Sequence, residues 1–180
     1  MPESPDAKTL RHMLFISALD GWSMALFAGL CTVISLLFAE WIGTGIGAVI
    51  TVAGVIELRG RMRLMRGDPS GMSGLIGAQL IILAIIVAYS LGNLFTYDEA
   101  ALMAQIMPKI HDALARAGMS ASDLNLQPMI KPVYFCLYLT VIGATLLFQG
   151  GLALYYHSRK TKVTAALLAR QSLPPELPHA

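Results

Sequence analysis

Long apolar runs without Asp, Glu, Lys or Arg dominate the hydropathy pattern of this chain. They cover residues 21–39, 41–56, 69–97 and 132–158. A helix of about 20 apolar residues crosses the hydrocarbon core of a bilayer. The runs therefore predict four transmembrane helices, the second of which is short unless it includes Glu57 and Leu58. Only Glu40 separates the first two runs, so we expect a tight helical hairpin, with a hairpin that crosses only in part as the alternative.

The predicted fold class is all-α: a polytopic membrane protein with four transmembrane helices in an up-down-up-down bundle. An amphipathic helical segment lies between spans three and four, and one membrane domain covers residues 1–180. The predicted segments are a cytoplasmic tail at 1–12, spans at 13–39 and 41–58, a cytoplasmic arginine loop at 59–73, a span at 74–96, an outer helical loop at 97–131, a span at 132–157 and a cytoplasmic tail at 158–180.

The composition favours a membrane protein over a soluble one. Apolar residues make up 56% of the chain, charged residues make up 13%, and the mean hydropathy is +0.63. A typical soluble domain has about 45–50% apolar and about 25% charged residues. The difference excludes a soluble enzyme, a disordered chain and a disulfide scaffold. The net charge of +2 is too small to indicate a nucleic-acid partner.

The basic residues predict the orientation of the spans. If the chain crosses the membrane four times, three basic segments lie on the same side. These segments contain Lys8 and Arg11; Arg59, Arg61, Arg63 and Arg66; and Arg159, Lys160, Lys162 and Arg170. The segment on the other side contains Lys109, Arg116 and Lys131. Because cytoplasmic segments carry an excess of Lys and Arg, we expect both termini in the cytoplasm. The composition, rich in Ala, Leu and Arg, favours a bacterial inner membrane.

The outer segment has the pattern of an amphipathic helix over residues 99–117. Its apolar residues recur every four positions, at Leu102, Ile106, Ile110 and Leu114. Pro108 should kink or divide this helix, and a second short helix is expected from Ser120 to Gln127. The helix either lies on the outer leaflet or caps the bundle, which is the favoured interpretation, or it forms an external recognition lid.

Four polar residues within the spans form a candidate inner polar patch: Asp20, Glu57, Gln79 and Gln149. Each lies in the cytoplasmic third of its predicted span, and a charge at membrane depth is costly. The functional hypothesis is a proton or cation site that faces the cytoplasm. The alternatives are hydrogen bonds between helices and an ion pair of Glu57 with Arg61. Asp20 itself could instead cap span one at the interface, just before Trp22.

Two further groups have predicted roles in contacts with lipid or between helices. Arg59, Arg61, Arg63 and Arg66 would attract anionic lipid head groups. Gly43, Gly47 and Thr51 form a ladder of small residues on span two, which lets helix backbones approach closely. This ladder packs either within the chain, as favoured, or against a second copy of it.

No sequence motif predicts catalysis. The chain has no glycine-rich phosphate loop, no G-x-S-x-G, no H-E-x-x-H and no ligand spacing for a metal, so we expect neither an enzyme nor a cofactor. The order of four spans, with the larger outer segment between spans three and four, resembles the layout of tetraspanins. The outer segment, however, lacks the cysteines that tetraspanins have there. The first functional hypothesis is a non-enzymatic membrane subunit or scaffold. The second is a small oligomeric transporter or channel with its site around Asp20. The expected partners are the lipid bilayer and either a second copy of the chain or another membrane protein.

Overall fold

The computed structural model describes residues 5–116 and 127–171, and this part of the chain is helical with no strand. The helices are α1 (Pro5–Leu37), α2 (Trp41–Met65), α3 (Gly71–Phe95), α4 (Glu99–Arg116), α5 (Gln127–Thr145), a π-helical turn (Leu146–Gly150) and α6 (Gly151–Gln171). Four stretches are long and apolar enough to span a membrane: Lys8–Leu37, Trp41–Met65, Gly71–Phe95 and Pro128–Ala169. The predicted all-α class and the four candidate spans are thus confirmed.

The helices extend further than the sequence predicts. The arginine cluster was expected in a loop, but α2 continues to Met65, so Arg59, Arg61 and Arg63 lie on a helix and only Arg66 follows it. Leu, Met and Arg are good helix formers, so charge alone does not end the helix. The helix ends where Gly67 adopts a positive φ of 84°.

At the other end of the chain, helix continues beyond the predicted limit of span four, through the π-helical turn to Gln171. Arg159, Lys160 and Lys162 therefore lie on α6 and not in an irregular tail. The short helix expected to begin at Ser120 lies outside the described residues, except for Gln127, where α5 begins.

The chain divides into two compact units. Unit 1 contains α1, α2, α3 up to Ile86, and the chain from Thr145 onward, and unit 2 is Val87–Ala144. Unit 1 has an apolar core built from both ends of its sequence. The core residues are Leu10 and Met13 of α1, Leu64 of α2, Met72 and Leu75 of α3, and Tyr156, Val163 and Leu167 of α6. This core holds four helices together at the end of the unit where the basic residues are concentrated.

The turn between α1 and α2 is a tight hairpin. Ala39 has a left-handed φ of 56°, and the Glu40 amide donates to the Ser35 carbonyl at 2.8 Å. A left-handed residue after a helix, with a hydrogen bond back to its last turn, is the usual helix C-terminal motif, although glycine is preferred there. The hairpin makes α1 and α2 antiparallel neighbours.

Small residues let the backbones of α1 and α2 approach closely. A Cβ atom on Gly47 would collide with the hydroxyl of Thr32, and one on Gly54 would lie 3.0 Å from the Ala25 backbone nitrogen. Thr51 lies between them and faces Gly29 of α1. These residues of the ladder on α2 therefore lie against α1.

Gly43, the first residue of that ladder, is also packed against α1. A Cβ atom there would lie 2.8 Å from the Ser35 hydroxyl oxygen. The contact at Gly43 is with a side chain that can move, whereas the contacts at Gly54 are with backbone atoms. Of these two positions, Gly54 therefore tolerates a side chain less.

Unit 2 contains α4, the last part of α3 and most of α5. Asp98 caps α4, because its Oδ1 accepts hydrogen bonds from the amides of Ala100 and Ala101 at 2.9 and 3.2 Å. Pro108 lies inside α4 without dividing it. The Tyr134 hydroxyl of α5 donates to the Asn93 carbonyl of α3 at 3.1 Å.

Replacing Gly54 by alanine should destabilise the protein, because the new methyl group meets backbone atoms of α1 that cannot move independently. Overpacking of this kind costs about 1–3 kcal/mol. Gly45→Ala is the matched control, since no atom lies within 4 Å of a Cβ there. The free energy of unfolding in detergent, followed by circular dichroism, should fall for Gly54→Ala and not for Gly45→Ala. Equal stability of the two variants would contradict the packing described.

Candidate functional site

Each helix of unit 1 places a polar side chain on its buried face. On α1, Met13, Ser17 and Asp20 follow one another at spacings of four and three, so they share that face. Met13 and Ser17 are fully buried, and Asp20 is half-buried. The helix that carries Asp20 begins at Pro5, about four turns earlier. Asp20 therefore lies inside α1 and does not cap the N-terminus of this helix.

Glu57 and Gln79 are also spaced along their helices so that they lie on the buried faces. Glu57 follows Ala53 and Gly54 on the buried face of α2 and is fully buried. Gln79 lies between Leu75 and Ile82 on α3 and is also fully buried. A buried polar side chain needs hydrogen-bond partners, because desolvation without them costs free energy.

Gln79 joins the two acidic residues. Its Nε2 donates to Oδ2 of Asp20 at 2.7 Å and to Oε2 of Glu57 at 2.9 Å. The two carboxyl groups therefore share one donor nitrogen. One amide group thereby connects α1, α2 and α3 through three side chains that are far apart in the sequence.

Tyr156 of α6 completes this cluster, and the sequence prediction missed its role. Its hydroxyl donates to Oε1 of Glu57 at 3.1 Å, and the side chain is fully buried near Ser17. From the sequence, a tyrosine at the end of an apolar run indicates a membrane interface. The available signal was that Gln149, Ala153 and Tyr156 share one helical face.

Gln149 lies apart from the hydrogen-bonded cluster. It is buried in the π-helical turn, and no hydrogen bond of the described residues joins it to Asp20, Glu57 or Gln79. The structure therefore brings together three of the four predicted patch residues. We call Asp20, Glu57, Gln79 and Tyr156 the carboxyl cluster. A π-helical turn within an α-helix is frequent at functional sites.

Several buried oxygen atoms of unit 1 have no hydrogen-bond partner among the described residues. They are Ser17 Oγ, Gln79 Oε1 and Gln149 Oε1. Nearly all buried polar atoms in proteins are hydrogen-bonded, so each exception needs an explanation. The Gln79 oxygen belongs to the same amide that binds both carboxyl groups. An acceptor oxygen on this amide is suited to a proton donor or a cation.

No described basic residue neutralises the two carboxyl groups. The partners of Glu57 are Gln79 and Tyr156, which are neutral. The predicted alternative of a Glu57–Arg61 pair is not formed, since Arg61 Nε donates to the Leu14 carbonyl of α1 at 3.0 Å. Both carboxyl groups instead accept hydrogen bonds from the single amide nitrogen of Gln79, which holds two acidic side chains close together.

The arginines at the end of α2 remain accessible. Arg59, Arg63 and Arg66 are exposed, and Arg61 is half-buried through its contact with α1. Among residues 5–116 and 127–171, no group of three or more His, Cys, Asp or Glu side chains could hold a metal ion. Cys31 and Cys136 are both free thiols.

Comparison of the chain with family models, with curated proteins and with solved structures gives no match. The geometry of the described side chains is therefore the basis for a functional proposal.

Replacing Tyr156 by phenylalanine should destabilise the protein, because Glu57 loses the only hydroxyl donor that the described residues give it. A typical hydrogen bond contributes about 0.5–1.5 kcal/mol to stability. Tyr155→Phe is the matched control, because the contacts of that residue with Tyr156 and Arg159 involve its ring. Thermal unfolding in detergent should show a lower midpoint for Tyr156→Phe alone. A midpoint unchanged from the wild type would refute the role given to this hydroxyl.

Proposed function

We propose that this chain is an integral protein of a bacterial inner membrane, with four spans in an up-down-up-down arrangement and both termini in the cytoplasm. Support comes from the apolar side chains that the described chain leaves uncovered on α1 and α2. They include Phe27, Leu30, Leu37, Trp41 and Ile42, all more than half exposed. A surface of this kind is suited to hydrocarbon and not to water.

The proposed topology predicts opposite accessibility of two exposed sites. In a variant without Cys31 and Cys136, single cysteines replace Ala115 on α4 and Thr161 on α6, both exposed. A membrane-impermeant maleimide should react with the α4 site from the outside of intact cells and with the α6 site only in inverted vesicles. Reaction of both sites from the same side would overturn the four-span arrangement.

Within that membrane protein, we propose that the carboxyl cluster is a proton-exchange site of a small transporter or channel. The observation that carries the proposal is the Gln79 amide held between Asp20 and Glu57, with no described basic residue paired to either. Removing charge from water costs several kcal/mol per ion. A cation or a proton must therefore accompany the pair, and the pair is suited to exchanging it.

The neighbouring groups supply a route for the proton. The Tyr156 hydroxyl binds Glu57 directly, and the Ser17 hydroxyl lies near Tyr156. Hydroxyl groups both donate and accept, so they can pass a proton between a carboxyl group and water. Intramembrane carboxyl groups in such chains mark proton relays in pumps and transporters. A few narrow helices leave little room for a pathway, so we propose that the transporter is an oligomer.

Proton flux into proteoliposomes tests this function. The vesicles contain a pH-sensitive dye, and a K⁺ diffusion potential is imposed across their membrane. With the wild-type protein, the lumen should become more acidic when the potential is negative inside and more alkaline when it is positive inside. Glu57→Gln and Asp20→Asn keep the shape of each side chain but cannot release a proton, so flux should fall to that of protein-free vesicles. Glu40→Gln is the matched control, because this residue lies in the exposed α1–α2 turn.

Gel filtration and circular dichroism must show that both variants fold. Flux through folded Glu57→Gln at the wild-type rate would refute the proposal. Flux that requires Na⁺ and leaves the internal pH unchanged would also refute it, since the cluster would then bind a metal cation and not a proton.

A non-enzymatic membrane subunit or scaffold is the second candidate function. The observation in its favour is the uncovered apolar surface of α1 and α2, which a membrane protein partner or a second copy could cover as well as lipid. The exposed Arg59, Arg63 and Arg66 would bind anionic head groups in either function. We propose no catalytic activity, no cofactor and no nucleic-acid partner.

A further inference from the structure

Unit 2 contains a cavity that the carboxyl cluster does not involve. Its volume is about 640 Å³, and its walls come from the end of α3, the start of α4 and the start of α5. Its walls carry four tyrosines and four other polar side chains: Tyr89, Tyr97, Tyr134, Tyr138, Asn93, Thr96, Asp98 and Gln105. Asp98 is the only charged residue among the described lining residues. The cavity is thus aromatic and negatively charged.

The tyrosine rings are arranged as inclined walls. Tyr97 and Tyr134 have centroids 5.1 Å apart and planes at 52°, and Tyr134 and Tyr138 have centroids 4.7 Å apart and planes at 56°. Inclined aromatic faces attract a cation that lies within about 6 Å of their centroids. The Tyr97 ring already accepts an ammonium group, since Lys131 Nζ lies 5.9 Å from its centroid.

The hydroxyl of Tyr97 is also suited to a ligand. It is a buried oxygen without a described hydrogen-bond partner. Desolvation and the neighbouring Glu99, Tyr134 and Asp98 raise the pKa of this hydroxyl, so it remains a neutral phenol at physiological pH. The Tyr97 hydroxyl therefore brings no negative charge to the cavity. The negative charge of the lining is that of the Asp98 carboxylate.

An apolar groove adjoins this cavity. It has a volume of about 390 Å³ between α4 and α5, and it is lined by Leu102, Ile106 and Ile110 on one side and by Val133 and Leu137 on the other. Leu102 and Tyr134 line both the groove and the tyrosine cavity. The apolar stripe of α4 predicted from the sequence forms one wall of this groove.

The groove continues along α5. A third cavity, of about 460 Å³, shares Val133 and Leu137 with the groove and extends to Cys136 and Thr140. An acidic aromatic cavity is therefore followed along α5 by the apolar groove and then by the third cavity, which we call the apolar strip. Sites for small molecules have volumes of about 300–1,000 Å³ with a few polar groups that fix orientation.

We infer that unit 2 binds a cationic amphiphile, with its ammonium head in the tyrosine cavity beside Asp98 and its hydrocarbon chain in the groove between α4 and α5. Charge complementarity selects the head group, because Asp98 is the charged residue of the described lining, whereas Lys131 lies outside that lining, over the Tyr97 ring. The continuity of the groove with the cavity selects a molecule that carries both parts. This inference is independent of the carboxyl cluster and of proton exchange.

Equilibrium dialysis with radiolabelled dodecyltrimethylammonium tests the head-group part of the inference. The full chain is held in micelles of a neutral maltoside detergent, and protein-free micelles give the background. Asp98→Asn removes the charge but keeps the cap of α4, since Asn and Asp cap helices about equally well. It should weaken binding by about tenfold, the loss expected for one nearby charge pair. Asp112→Asn, an exposed site on the same helix, is the control and should bind as the wild type does.

Photo-crosslinking tests where the hydrocarbon tail of the ligand binds. A dodecyltrimethylammonium analogue with a diazirine at the end of its tail should label residues of the groove and the strip on α5, between Met129 and Thr140. Tetramethylammonium and dodecanol carry only one part each and should compete poorly. Equal binding to wild type and Asp98→Asn, or labelling spread over α1 and α2 at the same yield, would overturn the inference, since either result indicates general adsorption to apolar surface.

Discussion

The close approach of α1 to α2 is the constraint on which the rest of unit 1 depends. Gly21 immediately follows Asp20, and a Cβ there would lie 3.0 Å from Leu58 and 3.6 Å from Glu57. Gly54, one turn before Glu57, touches the backbone of α1 at Gly21 and Ala25. The absence of side chains at this crossing lets two acidic residues on neighbouring helices reach one amide. Larger residues would separate the helices, and Gln79 could then bind only one carboxyl group.

The sequence is sufficient to predict the four candidate spans and three members of the carboxyl cluster. Asp20, Glu57 and Gln79 stand out because each is polar within or beside an apolar run, and depth along a helix follows from residue number. Tyr156 does not stand out, because its burial depends on α6 packing against α1, and the helical face that it shares with Gln149 and Ala153 does not identify the helix that covers it. The sequence likewise predicts a loop for the arginine cluster, whereas most of it lies on α2. Charged residues indicate where a membrane ends but not where a helix ends.

The two units use aromatic residues in different ways. In unit 1, Tyr156 is buried in the apolar core and donates to Glu57, so its ring and hydroxyl both stabilise the packing. In unit 2, the tyrosine rings contact one another at inclined angles and line a cavity. Position in the sequence cannot distinguish these roles, because the tyrosines of both units occur near the ends of apolar runs. Only the helices that pack beside each ring decide between them.

Magnitudes decide whether the carboxyl cluster serves packing or chemistry. A hydrogen bond between membrane helices contributes about 0.6 kcal/mol on average, whereas burying an ionised group costs several kcal/mol. Amide side chains at the positions of Asp20 and Glu57 would give the same contacts to Gln79 without that cost. Acidic residues are therefore a poor solution if the only task is to hold helices together. They are a good solution if the site must gain and lose a proton, because an amide cannot do so, and this difference gives the proton-exchange proposal its weight.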